Sequence, residues 1–225
     1  MENIFKGVFM DILMSLHKKW ANKILDGSKI LEFRKRIGKD FKVGDIVYIY
    51  ETGKNGGKKQ VVGDFTIKSI VKIDQSSGCG TYDLLPYYCK NVLKDLDALE
   101  AVMKAYSIEL SHYKDSIKLS YIYNVNFLEA LRDTDNFPFL LNLSREEQNA
   151  YYEGQEKTKK LIDSCEDWLR NIGYYNEFEE TYYNYYLEIE NVHKYENFLS
   201  LDNFLNKENK PITVAPQSWC YCSKA

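Results

Sequence analysis

The stretch 27-GSKILEFRKR-36 places one glutamate among basic residues on a segment that alternates like a β-strand. Leu31 and Phe33 fall on one side of such a strand, because successive side chains of a strand point to opposite faces. Glu32 and Arg34 fall on the other side. A plain surface ion pair would be worth well under ~1 kcal/mol. In a partly desolvated crevice, the same groups would form a nucleotide-sized site, with the cations on a phosphate and the carboxylate on a base edge or ribose hydroxyl.

The neighbouring sequence predicts the elements around this strand. Upstream, 11-DILMSL-16 is typical of a short buried strand, and 17-HKKWANKILDG-27 repeats apolar residues every fourth position, which predicts a helix closed by its last glycine. Downstream, 42-KVGDIVYIYET-52 predicts a turn and a strand, and 60-QVVGDFTIKSIVKI-73 predicts a further strand with a glycine bulge. One strand, one helix and several strands suit a small twisted barrel.

Helical patterns dominate the middle of the chain. The segment 144-SREEQNAYYEGQEKTKKLIDSCEDWLRNIG-173 opens with Ser144 and Glu147 in capping-box spacing and ends at a glycine, which predicts a long helix. A second helix is predicted over 95-DLDALEAVMKAY-106. The pattern of 117–131 fits either a strand or a helix, and the helix is preferred.

Strand character returns near the end of the chain, in 185-YYLEIENVHKYENFLSL-201, and the chain closes with 211-PITVAPQSWCYC-222. The sequence therefore predicts an α+β protein. Its β-rich domain is formed by 1–74 plus 181–225, and a mostly helical insertion of unknown role occupies 75–180. Such an insertion has the length of a small domain.

The charges are distributed unevenly along the 225 residues. Residues 1–73 hold 15 Lys and Arg against 8 Asp and Glu, whereas residues 74–225 hold 15 against 25. This asymmetry directs any polyanion, nucleic acid first, to the N-terminal third. Lysines that only solvate a small β-rich region explain the same asymmetry equally well.

Composition also bounds the compartment and the chemistry. No segment approaches the roughly 20 apolar residues that span a bilayer, and the N-terminal residues lack a signal-peptide pattern, so we expect a cytoplasmic protein without a membrane partner. The odd number of cysteines without framework spacing indicates free thiols. No metal pattern is present and no cofactor is expected. The predicted free thiols are Cys79, Cys89, Cys165, Cys220 and Cys222. The histidines, which form no metal pattern with them, are His17, His112 and His193.

Gly27, Lys29, Glu32 and Arg34 reproduce the G-x-K-x-x-E-x-R signature of ASCH domains, which belong to the PUA-like superfamily of small β-barrels. The strand and helix before this signature and the strands after it also resemble that family. The resemblance implies a PUA-like small β-barrel of ASCH type, split in sequence by the large helical insertion.

The resemblance covers about residues 11–73 and 183–222, and its C-terminal part is similar to larger ASCH proteins of bacteria and phages. It implies a binding module for RNA or a modified nucleotide, with a basic cleft between the first helix and the barrel. Trp219 either stacks on a base or packs as a C-terminal anchor. The expected nucleic-acid-binding residues are His17, Lys18, Lys29, Glu32, Arg34, Arg36, Gln217 and Trp219.

Two alternatives to simple binding remain open. One bacterial ASCH subgroup hydrolyses N4-acetylcytidine with a lysine base, a threonine nucleophile and a glutamate acid. This chain matches the lysine at Lys29, but Glu32 stands at the threonine position and the glutamate acid has no assigned match. The first alternative is a hydrolase of a modified nucleoside or of RNA, with Lys29 and Glu32 as its catalytic groups. The second is a regulator that binds a protein partner through the acidic helical insertion.

A dense group of tyrosines precedes the last predicted strands. The segment 174-YYNEFEETYYNYY-186 has the aromatic content of a base-stacking surface, but its carboxylates would repel phosphate. We therefore interpret it as an interface between the insertion and the barrel, or as a protein-binding surface.

Overall fold

The structure, a computed structural model, describes residues 11–73, 84–85, 87–95, 97–98, 144–175 and 183–225. The chain divides into two compact units. Unit 1 comprises Met1–Lys72, Ile172–Tyr174 and Thr181–Ala225, and unit 2 comprises Ile73–Asn171 and Tyr175–Glu180.

The described part of unit 1 contains a mixed sheet of seven strands and one α-helix. The strands are β1 (Asp11–Leu16), β2 (Leu31–Arg34), β3 (Ile46–Glu51), β4 (Gln60–Lys72), β5 (Tyr185–Leu199), β6 (Phe204–Leu205) and β7 (Trp219–Lys224), and the helix is α1 (Lys18–Leu25). Across the sheet the order is β2-β5-β4-β3-β1-β7-β6. The pair β1 and β3 is parallel and the other neighbouring pairs are antiparallel. The predicted strands and first helix are confirmed; β1 has the predicted bounds, β7 extends to Lys224, and α1 and strands β2 to β5 are shorter than their sequence patterns.

Both faces of the sheet are covered by apolar side chains. Alternation along β1 sends Ile12 and Met14 to one face and Leu13 to the other. The first face also packs against Ala21 and Ile24 of α1, which confirms the amphipathic pattern of that helix. Burial on both faces explains why β1 and β3 read as almost continuous apolar runs.

The predicted small barrel is an open sheet in its backbone pairing. Strands β2 and β6 are the two edges, and no backbone pairing among the described residues joins them. The sheet nevertheless curls. The evidence is a contact between β2 and β1, in which Arg34 Nη2 lies 3.4 Å from the main-chain oxygen of Ser15. Neighbouring strands lie about 4.8 Å apart, so four steps in a flat sheet would separate β2 from β1 by roughly 19 Å.

A bulge interrupts the pairing of β4 with both of its neighbours. The register shifts between Val61 and Gly63 on the β5 side and opposite the same residues on the β3 side, which confirms the predicted glycine bulge. A Cβ atom at Gly63 would lie 2.3 Å from the His193 main-chain oxygen. Only glycine therefore fits between these strands without a backbone shift.

The described part of unit 2 is helical. Helix α2 (Arg145–Asn171) confirms the long predicted helix, and its capping box is formed. The Ser144 amide donates to Glu147 Oε2 at 2.8 Å, and the Glu147 amide donates to Ser144 Oγ at 3.3 Å. Segment 117–131 and most of the predicted helix 95–106 lie outside the described residues.

The helices also bear on the membrane prediction. Within the described residues, no helix combines the length and the apolar composition that crossing a membrane would require.

Candidate functional site

Lys29, Glu32 and Arg34 form an ion cluster along β2 and the turn that precedes it. Glu32 and Arg34 are two residues apart on one strand, so their side chains share a face. Lys29 lies in the turn after α1, where its amide donates to the Lys23 main-chain oxygen at 2.8 Å. Lys29 Nζ lies 3.4 Å from Glu32 Oε2, and Arg34 Nη2 lies 2.9 Å from Glu32 Oε1. The signature spacing therefore places one carboxylate between two cations.

The ion cluster is buried. Lys29 is 3% exposed and Glu32 is 5% exposed, and the Arg34 side chain is 11% exposed. A plain surface ion pair is thus excluded as the interpretation of these residues. Removing charges from water costs several kcal/mol per ion, on the order of magnitude known for buried pairs, unless partners compensate. Two cations facing one carboxylate leave an excess of positive charge in this desolvated place.

Burial also changes the basicity of the cluster's lysine. Burial is the largest effect on Lys29 and lowers its pKa below the ordinary value. The charge and hydrogen bond of Glu32 act in the opposite direction, and the charge of Arg34 lowers the pKa further. The loss of hydration outweighs the attraction of the carboxylate.

Arg34 connects the ion cluster to the other end of the sheet. Its Nη1 donates to Ser218 Oγ at 3.0 Å, and its Nη2 donates to the Ser15 main-chain oxygen at 3.4 Å. The Nε atom of Arg34 is buried and has no hydrogen-bond partner among the described residues. Buried donors are rarely left in this state, so the guanidinium keeps one N–H for a further acceptor.

Aromatic rings and a short chain segment surround Lys29. Its Nζ lies 5.6 Å from the Trp20 ring centroid and 4.9 Å from the Phe33 ring centroid. It donates to the Ile172 main-chain oxygen at 2.5 Å. Tyr183 packs on Phe33 with ring centroids 5.7 Å apart. Burial, together with the charge of Glu32, raises the pKa of this tyrosine.

His17 and Lys18 lie at the exposed beginning of α1. His17 Nδ1 lies 3.2 Å from Thr52 Oγ1, and Lys18 Nζ lies 3.5 Å from the Gly56 main-chain oxygen. These contacts run to the loop after β3 rather than to the ion cluster. The structure thus brings three of the expected residues together and places these two on the surface.

The remaining expected residues lie near β7. Arg36 and Gln217 are exposed. Trp219 is half-buried, and its indole N–H donates to the Arg36 main-chain oxygen at 3.3 Å. Its ring packs against Phe41 and Tyr221, with centroids 4.8 Å and 5.4 Å away. This is the packing of an anchor for the C-terminal strand.

Sequence reasoning missed four groups that complete the site. Ser15 and Ile172 contribute main-chain oxygens, which any residue type carries, so no sequence signal marks them. Ser218 adjoins Gln217 in the Pro-Gln-Ser stretch, which was the only available signal for it. Tyr183 belongs to the tyrosine-dense segment, which was interpreted as an interface.

The described residues contain no group of three or more His, Cys, Asp and Glu side chains placed to hold a metal ion. The four cysteines that the structure describes are free thiols, namely Cys89, Cys165, Cys220 and Cys222.

Solved structures of ASCH proteins are similar to this chain. No curated protein matches it. The crystal structure of ASCH from Zymomonas mobilis is 18% identical, with 94% of this chain and 86% of that chain covered and a TM-score of 0.40. A point mutant of the same Zymomonas mobilis protein is 15% identical, with 94% and 88% covered and a TM-score of 0.40.

The family comparison covers the ion cluster itself. The ASCH domain family model matches residues 14–132, slightly more than half of the chain. The match includes α1 and strands β2 to β4 and ends before β5, although β5 and β7 pair directly with β2, β4 and β1. The chain therefore belongs to the ASCH domain family.

Proposed function

We propose that this protein binds RNA or a modified nucleotide at the ion cluster of Lys29, Glu32 and Arg34. The observation that carries the proposal is the burial of two cations around a single carboxylate. An anionic ligand would balance the remaining positive charge through charge-assisted hydrogen bonds. ASCH domains are a family often linked to RNA binding, which supports a nucleic acid as the source of that anion.

Each member of the ion cluster has a role in this proposal. Lys29 and Arg34 contact a phosphate, and the unpartnered Arg34 Nε supplies an additional donor. Glu32 holds both cations in place. A carboxylate has about four lone-pair sites, so Glu32 keeps capacity for a base edge or a ribose hydroxyl.

Exposed residues would extend the contact beyond the ion cluster. His17 and Lys18 lie at the beginning of α1, and Arg36 and Gln217 lie beside the C-terminal strand. We assign these four to the ligand's flanking groups. A base would stack on the accessible part of Trp219 or on a tyrosine, at about 1–3 kcal/mol per base.

The proposal includes a view of the fold. Unit 1 would be a PUA-like barrel of the bacterial or phage ASCH type, working in the cytoplasm and left partly open beside β2. Arg34 bridges that opening by its side-chain contacts to Ser15 and Ser218. Residues 1–74 and 181–225 would form the binding domain, and 75–180 an insertion whose protein partner, if it has one, stays a prediction.

A salt series with a labelled 12-residue oligouridylate tests the binding function. Two phosphate contacts predict that the logarithm of the affinity falls with the logarithm of salt concentration with a slope of about −1.4. The triple variant Lys29→Met, Glu32→Gln, Arg34→Gln removes both cations without leaving a buried carboxylate unpaired. It should lose most of the affinity and of the salt slope.

The control is Lys68→Met, which removes one positive charge from an ion pair whose lysine side chain is 50% exposed. This control should bind nearly as the wild type does. Equal affinity and equal salt slope in the triple variant would refute a ligand at the ion cluster.

A hydrolase is the second candidate, and the lowered pKa of Lys29 favours it. A lysine that is more easily deprotonated is a better general base. Incubating the purified protein with modified nucleosides and with labelled RNA would reveal turnover. Glu32→Gln should then abolish turnover and retain binding. A wild-type protein that is inert on both substrate panels argues against this candidate.

A further inference from the structure

Segment Ile172–Tyr174 covers the proposed ligand site, although it follows helix α2 and lies more than 130 residues from the signature in sequence. Ile172 is 1% exposed and Tyr174 is 7% exposed. The Ile172 main-chain oxygen accepts the hydrogen bond of Lys29 Nζ. The acceptor that Lys29 contacts most closely is thus a peptide carbonyl, in the place where the proposed function puts a phosphate oxygen.

Contacts to Lys29, Phe33 and Trp20 hold this segment in place. Besides the Lys29 hydrogen bond, Tyr174 packs edge-on against Phe33 with ring centroids 4.9 Å apart. Gly173 adopts a φ of +82° and lies against Trp20, so that a Cβ atom there would be 2.7 Å from the indole ring. Lys29 belongs to the ion cluster and the rings of Phe33 and Trp20 lie beside it, so the segment packs against the site.

A carbonyl is a weaker partner for a buried ammonium than an anion is. The bond from the ammonium to the carbonyl is charge-assisted on the donor side only, whereas a phosphate oxygen adds the attraction of a full negative charge, which is strong where water is excluded. The carbonyl satisfies one donor of Lys29 and leaves the excess positive charge of the ion cluster uncompensated. An anion that reached the site would therefore bind Lys29 more strongly than Ile172 does.

We propose that Ile172–Tyr174 is an autoinhibitory cover that competes with the ligand for Lys29. The inference rests on the proposed function. The covered form is the resting state, and a phosphate-bearing ligand binds after the Ile172 carbonyl leaves Lys29. The apparent affinity is then the intrinsic affinity multiplied by the fraction of molecules that are uncovered.

Substitutions in the cover test this inference without knowledge of the natural ligand. Gly173→Ala strains the covered form, because its backbone is left-handed and its Cβ meets Trp20. Tyr174→Ala removes the Phe33 contact without backbone strain. The matched control is Gly44→Ala, where φ is +91° and a Cβ meets no atom within 4 Å. It carries similar backbone strain away from the cover.

The first measurement is the rate at which acetic anhydride modifies Lys29, followed by mass spectrometry. Relief of the left-handed strain in the uncovered form should raise this rate about fivefold to thirtyfold in Gly173→Ala over Gly44→Ala. Tyr174→Ala should change it in the same direction. Far-UV circular dichroism and the urea midpoint verify that each variant is folded.

The second measurement is the affinity for the 12-residue oligouridylate, which should tighten by a similar factor in both cover variants. Unchanged Lys29 modification in folded Gly173→Ala and Tyr174→Ala would overturn the cover. If Lys29 becomes accessible in the cover variants but their affinity for RNA equals that of the wild type, the competition alone would be overturned. Accessible Lys29 with no RNA binding in any variant would overturn the proposed function, and the inference with it.

Discussion

At the scale of single residues, Lys29 has two acceptors of different charge. Glu32 Oε2 lies 3.4 Å from its Nζ, and the neutral Ile172 oxygen lies closer, at 2.5 Å. Glu32 faces Lys29 with Oε2 and Arg34 with Oε1, so the charge of one carboxylate is shared between two cations. Lys29 therefore experiences the full cost of burial with only part of the attraction of the carboxylate, which is consistent with its lowered pKa.

The lowered pKa of Lys29 predicts a rise of stability with pH. Between the folded-state pKa and the ordinary value of 10.5, the unfolded chain binds more protons at Lys29 than the folded chain does. The free energy of unfolding of the wild type, relative to Lys29→Met, should then increase with pH, by at most about 1.4 kcal/mol per pH unit. Urea denaturation at a series of alkaline pH values measures this difference.

Lys68 is a control of opposite sign, since its hydrogen bond to Glu188 raises its pKa. The stability that Lys68 contributes is present below pH 10.5 and is lost as pH rises through the folded-state pKa. The wild type should therefore lose stability relative to Lys68→Met in that range. For Lys29, the difference in the free energy of unfolding between the wild type and Lys29→Met is expected to rise with pH. A difference that stays constant or falls would show that burial does not govern the pKa of this lysine.

At the scale of elements, β2 shows how far a motif alone can place a site. The period of two in a strand predicts that Glu32 and Arg34 share a face, and the turn after α1 adds Lys29. The three do meet. The pattern also predicted a polar face opposite an apolar one, whereas Leu31, Glu32 and Phe33 are all buried. Periodicity assigns side chains to faces but does not tell what covers each face.

Helix α2 provides a prediction at this scale, since its first turn depends on the capping box of Ser144 and Glu147. Ser144→Ala removes the side-chain acceptor of the Glu147 amide, and should lower the free energy of unfolding by about 1 kcal/mol. Thermal denaturation followed by far-UV circular dichroism would measure the loss.

Ser144→Asp is the rescue, because aspartate is an equally good N-cap acceptor and also favours the positive end of the helix dipole. It should retain the stability of the wild type. Equal losses in Ser144→Asp and Ser144→Ala would mean that the serine acts through something other than capping.

At the scale of the whole molecule, both ends of the chain build one sheet. Strand β1 lies between β3 on one side and β7 on the other. Strand β5 likewise lies between β2 and β4. The family match ends before β5, yet without β5 the signature strand would have no pairing partner among the described strands. The ion cluster consequently depends on residues far outside the matched range.

Truncation after Gln217 tests this dependence. It removes β7 from an interior position of the sheet and also removes Ser218, the acceptor of Arg34 Nη1. We expect loss of the cooperative urea transition, because β1 would become an edge with apolar faces exposed. Tryptophan fluorescence and circular dichroism would measure the transition.

The matched control is a truncation that removes only residues 224–225 and leaves most of β7. It should unfold cooperatively, with a modest loss of stability. A cooperative transition of wild-type stability after removal of 218–225 would show that β7 is dispensable for the sheet.

Local physics explains why the sequence alone determined so much of this protein. The elements near the signature, the bulge at Gly63 and the capped helix α2 follow from side-chain periodicity and from backbone preferences, which act over a few residues. The grouping of Lys29, Glu32 and Arg34 follows from the spacing of one turn and one strand.

Long-range packing, in contrast, sets three other features: the sheet stays open, Trp219 packs against Phe41, and Ile172 lies on Lys29. These outcomes join residues that are 143 to 178 positions apart or involve main-chain oxygens, which carry no residue-specific signal. Their free energy comes from burial and desolvation in the folded chain, and these exist only after the distant segments have met.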